Sequence, residues 1–169
     1  MERMILARLK WYLDIRFILP STMTRFRKNL CTSNTLLEFS CAADNAKKTR
    51  QALLAAFHDI KKAFDSVTPQ VVVNMLQQVK ITGRAIRFIL GFLPGRMMQV
   101  RLGTTLSSTR ASPVGLPQRS ILRPVIFNIV MAGVTFAPSL TPPVHLSNYA
   151  DDLTIWTTGR KFAHYKVGL

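Results

Sequence analysis

A chain of 169 residues with 48% hydrophobic side chains is long enough to bury the core of one domain and too apolar to stay unfolded. Its 23 Lys and Arg against 8 Asp and Glu leave a net charge of +15, which draws the protein to polyanions such as nucleic acid or an anionic membrane surface. Two cysteines are too few for a disulfide framework, no Cys and His set has zinc spacing, and no apolar stretch approaches the roughly 18 residues of a spanning helix.

Met1 to Leu19 sets Arg3, Arg8, Lys10 and Arg16 among Leu6, Leu9, Trp11 and Leu13, which predicts an amphipathic helix ending before Pro20. It has no unbroken apolar centre and no small-residue cleavage site, so it is not read as a secretory signal. Thr22 to Lys28 is polar and basic. Leu36 to Ala43 leads into a second helical run through Ala46, Leu53 and Leu54, and Phe57 to Ile60 reads as a short strand. Thr68-Pro69 places a capping hydroxyl before a proline at the first helical position, with Val72, Met75, Leu76 and Val79 as the apolar stripe. Gly83 interrupts, Ile86, Ile89, Leu90 and Leu93 mark a further helix, and Pro94-Gly95 stops it. Gln99 to Leu102 and Ser107 to Ala111, separated by Gly103-Thr104-Thr105-Leu106, predict a hairpin. Gly115-Leu116-Pro117-Gln118 is a turn-forming loop that runs into the apolar stretch Pro124 to Met131, a buried helix. His145 to Ala150, Asp151-Asp152 and Leu153 to Trp156 read as strand, turn, strand.

This alternation, without repeats or low-complexity linkers, makes a mixed α and β domain with no internal boundary. Cys31 and Cys41 read as buried or idle thiols in a reducing compartment, and His58, His145 and His164 form no spaced group and receive no role. The protein is expected to be intracellular, in nucleus or cytoplasm, with no secretion and no transmembrane segment.

Half of the acidic side chains lie in two short strings, Asp59 and Asp65 in one, Asp151 and Asp152 in the other, while Glu2, Asp14, Glu38 and Asp44 are scattered. In so basic a chain that clustering points to a hard divalent cation, which is bound through carboxylate oxygens. Neighbouring strand residues face opposite ways, so Asp151 and Asp152 can address one ion only if the turn reorients them.

The ordered set Asp59-Ile60-Lys61-Lys62-Ala63-Phe64-Asp65, Gly115-Leu116-Pro117-Gln118 with Pro124 to Asn128, and Tyr149-Ala150-Asp151-Asp152 resembles the palm of a reverse transcriptase, in particular those of non-LTR retrotransposons. Thr24-Arg25-Phe26-Arg27 resembles that family's segment between fingers and palm. The resemblance implies an α+β, palm-like fold, a small antiparallel sheet packed on helices with part of the fingers. It divides the chain into connecting helices over 1–56 and a palm core over 57–169, with the thumb absent. It implies an RNA-directed DNA polymerase segment working through two Mg²⁺ ions on an RNA template, a DNA primer and deoxynucleoside triphosphates, with no membrane and no assigned protein partner. The alternative is a catalytically inactive retrotransposon remnant with at most non-specific nucleic-acid binding.

By the same resemblance Asp59 and Asp151 are the principal metal ligands, Asp152 is their companion, and Ile60 offers a backbone carbonyl. Phe64 lies beneath the incoming sugar, and Gln118 with Pro117 contacts the nucleotide. Asp65, Tyr149 and Gly115 give structural support. Three arginines depart from the pattern: Arg119 replaces a glycine, Arg123 replaces the serine before Pro124, and Arg25 stands where glycine is common. Glycine allows close backbone approach and serine caps a helix, with a lost cap costing about 0.5–2 kcal/mol, so the three read as accumulated lesions.

Overall fold

A computed structural model describes residues 1–93, 97–111, 115–117, 120–135 and 144–160. In chain order these form α1 (Glu2–Ile15), α2 (Thr32–Lys48), β1 (Ala52–Asp59), α3 (Ala63–Ser66), α4 (Pro69–Gln78), α5 (Arg84–Phe92), β2 (Met97–Met98), β3 (Arg101–Leu102), β4 (Thr105–Leu106), β5 (Arg110–Ala111), α6 (Arg123–Thr135), β6 (His145–Tyr149) and β7 (Asp152–Gly159). The mixed α+β class is the expected one. The chain forms two compact units, each from two segments: Met1–Leu19 with Lys62–Val134, and Pro20–Lys61 with Thr135–Leu169. Because the segments interleave, no linker composition marks the seam along the sequence. The stop expected at Pro94-Gly95 lies outside the described residues, as do Gln118, Arg119 and His164.

The first unit is helical around buried Leu9 and Leu13 of α1, Val72 and Leu76 of α4, Ile89 of α5, and Val125, Ile126, Phe127 and Ile129 of α6. The apolar run that opens α6 is buried as expected. In α4 the Thr68 hydroxyl accepts the Val71 N–H at 3.4 Å ahead of Pro69, the expected helix start. That bond is long, so Thr68→Ala is expected to cost about 0.5–1 kcal/mol, the low end for a lost cap, read as a shift in urea midpoint at constant slope. The hairpin also forms, with β2 on β5 and β3 on β4. Its turn is tighter than expected: Gly103 carries φ 60°, and Thr105-Leu106 belong to β4 rather than to the connection. Gln99 Nε2 donates to Thr109 Oγ1 at 2.9 Å and the Val100 N–H donates to Ser107 Oγ at 2.9 Å, closing the gap between the two short ladders.

The second unit is a three-stranded antiparallel sheet in the order β1-β7-β6, with α2 on one face. Phe39 of α2 meets Phe57 and Trp156 edge-on, with ring centroids 5.8 and 5.6 Å apart. Two expectations are corrected in this unit. Leu53 and Leu54 are not helical, because the helix stops at Lys48 and β1 begins at Ala52, so the strand is twice the expected length at 8 residues. The reason is a C-terminal motif at Arg50, which sits in the left-handed region at φ 51° while the Gln51 N–H reaches the Ala46 carbonyl at 2.8 Å and the Arg50 N–H reaches that of Lys47 at 3.1 Å. Nor are Cys31 and Cys41 buried: both are exposed, Cys31 at the N-cap of α2 and Cys41 within it. Hydrogen bonds from the Ser33 backbone, the Ser33 side chain and the Asn34 backbone hold the Cys31 thiol below its ordinary range.

The residues that lead into Thr24-Arg25-Phe26-Arg27, the segment resembling the link between fingers and palm, lie along β6. The Asn148 N–H donates to the Thr22 carbonyl at 2.9 Å, the Thr24 N–H donates to the Asn148 carbonyl at 3.2 Å, and Met23 forms a parallel bridge with Asn148. Thr22 to Thr24 thus extends the sheet beyond β6. Among the described residues no helix is long and apolar enough to cross a membrane.

Candidate functional site

The carboxylates are placed by strand register. In the β1–β7 pair Asp59 stands opposite Asp152, and in the β6–β7 pair Asp152 stands opposite Tyr149. Residues directly opposite share a face, so Tyr149, Asp152 and Asp59 form one row across the end of the sheet. Two rows further along that face lies Trp156, packed under Phe39, so the row of acids lies on the face that α2 covers. Asp59 and Asp152 are exposed and Asp151 is half-buried.

The β6–β7 turn is Ala150-Asp151, and Ala150 adopts φ 64°. A positive φ at the first central position is glycine's usual place in a tight hairpin. Alanine pays strain there, and Ala150→Gly is expected to raise stability by about 0.5–1 kcal/mol, seen as a higher denaturation midpoint. Past the last paired row, the Ile60 N–H donates to the Asp151 carbonyl at 3.2 Å, which ties the turn to the end of β1. The structure therefore brings Asp59 and Asp152 together directly and holds Asp151 and Ile60 one position beyond. Among the described residues no three His, Cys, Asp or Glu side chains converge as a ligand set, and none of the three aspartates is in an ion pair. In a chain of net charge +15 that leaves two facing carboxylates without an ion pair among the described residues.

The row ends in an arginine. Arg25 Nη1 donates to Tyr149 Oη at 2.6 Å, and its guanidinium carbon lies 4.6 Å from the centre of the Tyr149 ring.

The other motif residues belong to the first unit. Phe64 and Asp65 lie in α3, a helix of 4 residues entered through Lys62 at φ 54°. The Leu116 N–H donates to the Phe64 carbonyl at 2.9 Å, which joins the Gly115 to Pro117 loop to α3. Gly115 has φ 126°, and a Cβ on it would stand 2.6 Å from the Asp65 Cα. Phe64 stacks on Phe127 with centroids 4.0 Å apart, and the Arg123 guanidinium sits 4.4 Å over the same ring. Two groups so near one ring centre cannot share a face, so both faces of Phe64 are covered and its edge is what remains. Arg123 also pairs with Asp65 at 3.8 Å, while its Nε is buried without a hydrogen bond. Pro117 is buried.

Sequence reasoning missed these two arginine contacts. Arg25 and Arg123, read as lesions, each lie on the aromatic ring of a motif residue. The signal was present: each stands next to a motif in a place where the resembled pattern has a small residue, and a guanidinium over an aromatic face is worth about 0.5–1 kcal/mol even when exposed.

Comparison with known proteins identifies the family of the chain. The family described as "Reverse transcriptase (RNA-dependent DNA polymerase)" matches residues 1–167. The RNA-directed DNA polymerase from mobile element jockey of Drosophila melanogaster is 26% identical over 100% of this chain and 19% of its own length. Its counterpart in Drosophila funebris is 26% identical over 93% of this chain and 18% of its own length. The probable RNA-directed DNA polymerase from transposon X-element of Drosophila melanogaster is 27% identical over 91% and 17%. The chain thus spans less than about a fifth of the curated relatives it matches. With the family match running over nearly every residue, the chain belongs to the reverse transcriptase family.

Proposed function

We propose that this segment carries the metal-binding carboxylates of a retrotransposon RNA-directed DNA polymerase and contributes them to template-directed nucleotidyl transfer by two metal ions. Within that polymerase 57–169 would form the palm core and 1–56 the helices leading to the fingers. The observation that carries the reading is the placement of Asp59 opposite Asp152 with no ion pair among the described residues. Like charges directly opposite are destabilising, and a bound cation removes that cost. The donor set fits Mg²⁺, which is held by one or two carboxylates together with substrate phosphates rather than by an all-protein cage.

Asp59 and Asp152 would provide oxygens from the sheet face, Asp151 from the turn and Ile60 its carbonyl. Metal ions held by these residues would supply positive charge to the primer hydroxyl and to the leaving pyrophosphate. In the transfer the primer 3′-oxygen forms a bond to the α-phosphorus, the bond to the bridging oxygen breaks, pyrophosphate leaves, and the hydroxyl proton passes to solvent. The chain's own residues supply position. The Ile60 N–H fixes the turn, Arg25 fixes Tyr149 beside Asp152, and Phe127 with Arg123 fixes the Phe64 ring, whose edge would meet the sugar. Gln118 and Pro117 would contact the nucleotide.

The test is extension of a DNA primer annealed to RNA by the purified chain. Extension that needs Mg²⁺ and disappears in Asp151→Ala supports the reading, and extension that survives Asp151→Ala refutes the assigned ligands. The second reading, an inactive remnant, is motivated by Arg119 and Arg123, which stand where the resembled pattern has glycine and serine. It predicts primer–template binding without extension at any metal concentration.

A further inference from the structure

The first unit holds a cavity of about 660 Å³ that the polymerase reading does not use. It is bounded by α1 and by the α4–α5 junction. Trp11, Tyr12 and Phe88 line it together with Arg8, Lys80 and Arg84, and no carboxylate does among the described residues. Its volume is that of a small-ligand pocket. Three aromatic side chains and three cations in one cleft are the two components of a single-strand site, a stacking surface for bases and positive charge for the phosphates.

The cleft is built rather than incidental. Tyr12 Oη donates to the Val79 carbonyl at 3.1 Å and lies 3.4 Å from that of Lys80, pinning α1 to the junction. Lys80 itself sits at φ 61°, while the Ile81 N–H reaches the Leu76 carbonyl at 2.8 Å. That is the position where glycine normally ends a helix, and a lysine there is held at a cost in strain. Here it sets an ammonium at the rim of an apolar cleft.

We propose that this cleft binds single-stranded nucleic acid, with a base against Trp11 and Phe88 and flanking phosphates on Arg8, Lys80 and Arg84. Three cations on three different segments suit a run of phosphates better than a single carboxylate head group. A duplex keeps its bases stacked on one another and cannot fill the cleft. The proposal goes beyond the carboxylate site and does not depend on it.

The experiment follows the fluorescence of Trp11 in the 169-residue chain as an oligothymidylate of about a dozen nucleotides is added in EDTA, where the carboxylate site takes no part. Trp156 is 2% exposed and so shielded from added ligand. The expected result is saturable quenching that polyphosphate and duplex DNA of equal charge do not reproduce. Trp11→Ala should weaken binding of a labelled oligothymidylate about tenfold by anisotropy. Lys80→Gly is the discriminating variant: relief of the left-handed strain keeps its melting temperature at or above that of the parent, while affinity falls several-fold and the salt slope drops by about 0.7. No quenching by oligothymidylate, equal quenching by polyphosphate, or unchanged affinity in Lys80→Gly would overturn the proposal. Quenching by oleate in place of oligothymidylate overturns it in favour of an acyl ligand.

Discussion

Gly115→Ala is expected to destabilise the protein by on the order of 3 kcal/mol, a large share of the total for a domain of this size. Two costs combine at this position. The φ of 126° belongs to a region that L side chains rarely enter, and the new Cβ would stand 2.6 Å from the Asp65 Cα and 2.7 Å from the Asp65 carbonyl oxygen. Those atoms are backbone, so no rotamer change can clear them. They are also held, because the Asp65 N–H is bonded to the Lys62 carbonyl at 2.8 Å and the neighbouring Phe64 carbonyl accepts from Leu116 at 2.9 Å. Gly103→Ala is the control, since Gly103 has φ 60° but open space around it, and its cost should stay near 1 kcal/mol. Urea unfolding of the two variants makes the comparison, with the larger midpoint shift expected for Gly115→Ala at unchanged slope. Equal shifts would show that the loop moves off α3 at little cost, and that Gly115 does not hold Phe64 and Asp65 in place.

What the sequence disclosed and what it hid have one physical source, the presence or absence of a local breaker. Thr68-Pro69 and Gly83 mark their boundaries by their own chemistry, and the helices they bound lie where they were read, while Gly103 marks a turn that is tighter than the four-residue connection read for it. At three helix ends the residue that turns the chain carries no such mark. Phe17, Arg50 and Lys80 occupy the left-handed C-terminal position at φ 50°, 51° and 61°, each with the paired backbone bonds that glycine would normally accompany. At Arg50 the consequence was the assignment of Leu53 and Leu54 to a helix instead of β1. The site followed the same logic. Asp59, Asp151 and Asp152 could be picked out by their scarcity in a basic chain, and the strand, turn, strand around the last two formed as expected. Register could not be read. That Asp59 stands opposite Asp152, with Asp151 one position beyond, depends on how β1 meets β7, a pairing of segments about ninety residues apart in sequence.

The arginines show the limit of reading departures as damage. Arg123 in place of a capping serine gives up one hydrogen bond, yet it gains a ring contact with Phe64 and an ion pair with Asp65. The pair is long and half exposed, so it contributes little alone. The contact with the ring is the firmer one, and with Phe127 on the other face it fixes the Phe64 side chain. Arg25 does the same for Tyr149 in the other unit.

Asp59→Asn is expected to move stability and activity in opposite directions, and that opposition separates a functional carboxylate from a structural one. In metal-free buffer Asp59 and Asp152 face each other across antiparallel strands with no ion pair among the described residues, so removing one charge should stabilise the fold by about 0.5 kcal/mol. A structural aspartate would behave the other way, since its loss would break an attraction. With Mg²⁺ at a hundred times its dissociation constant, the parent should gain about 2.7 kcal/mol by mass action and the variant far less. Melting curves with and without Mg²⁺ would therefore cross, the variant higher in EDTA and the parent higher in metal. If the chain extends a primer, the same substitution should lower the rate by on the order of a thousandfold or more, because several kcal/mol of charge stabilisation are lost from the transition state. Asp152→Asn should repeat all three effects, since its carboxylate shares the row. A variant less stable in EDTA, or stabilised by Mg²⁺ as much as the parent, would show that the two carboxylates face each other for a reason other than holding a cation.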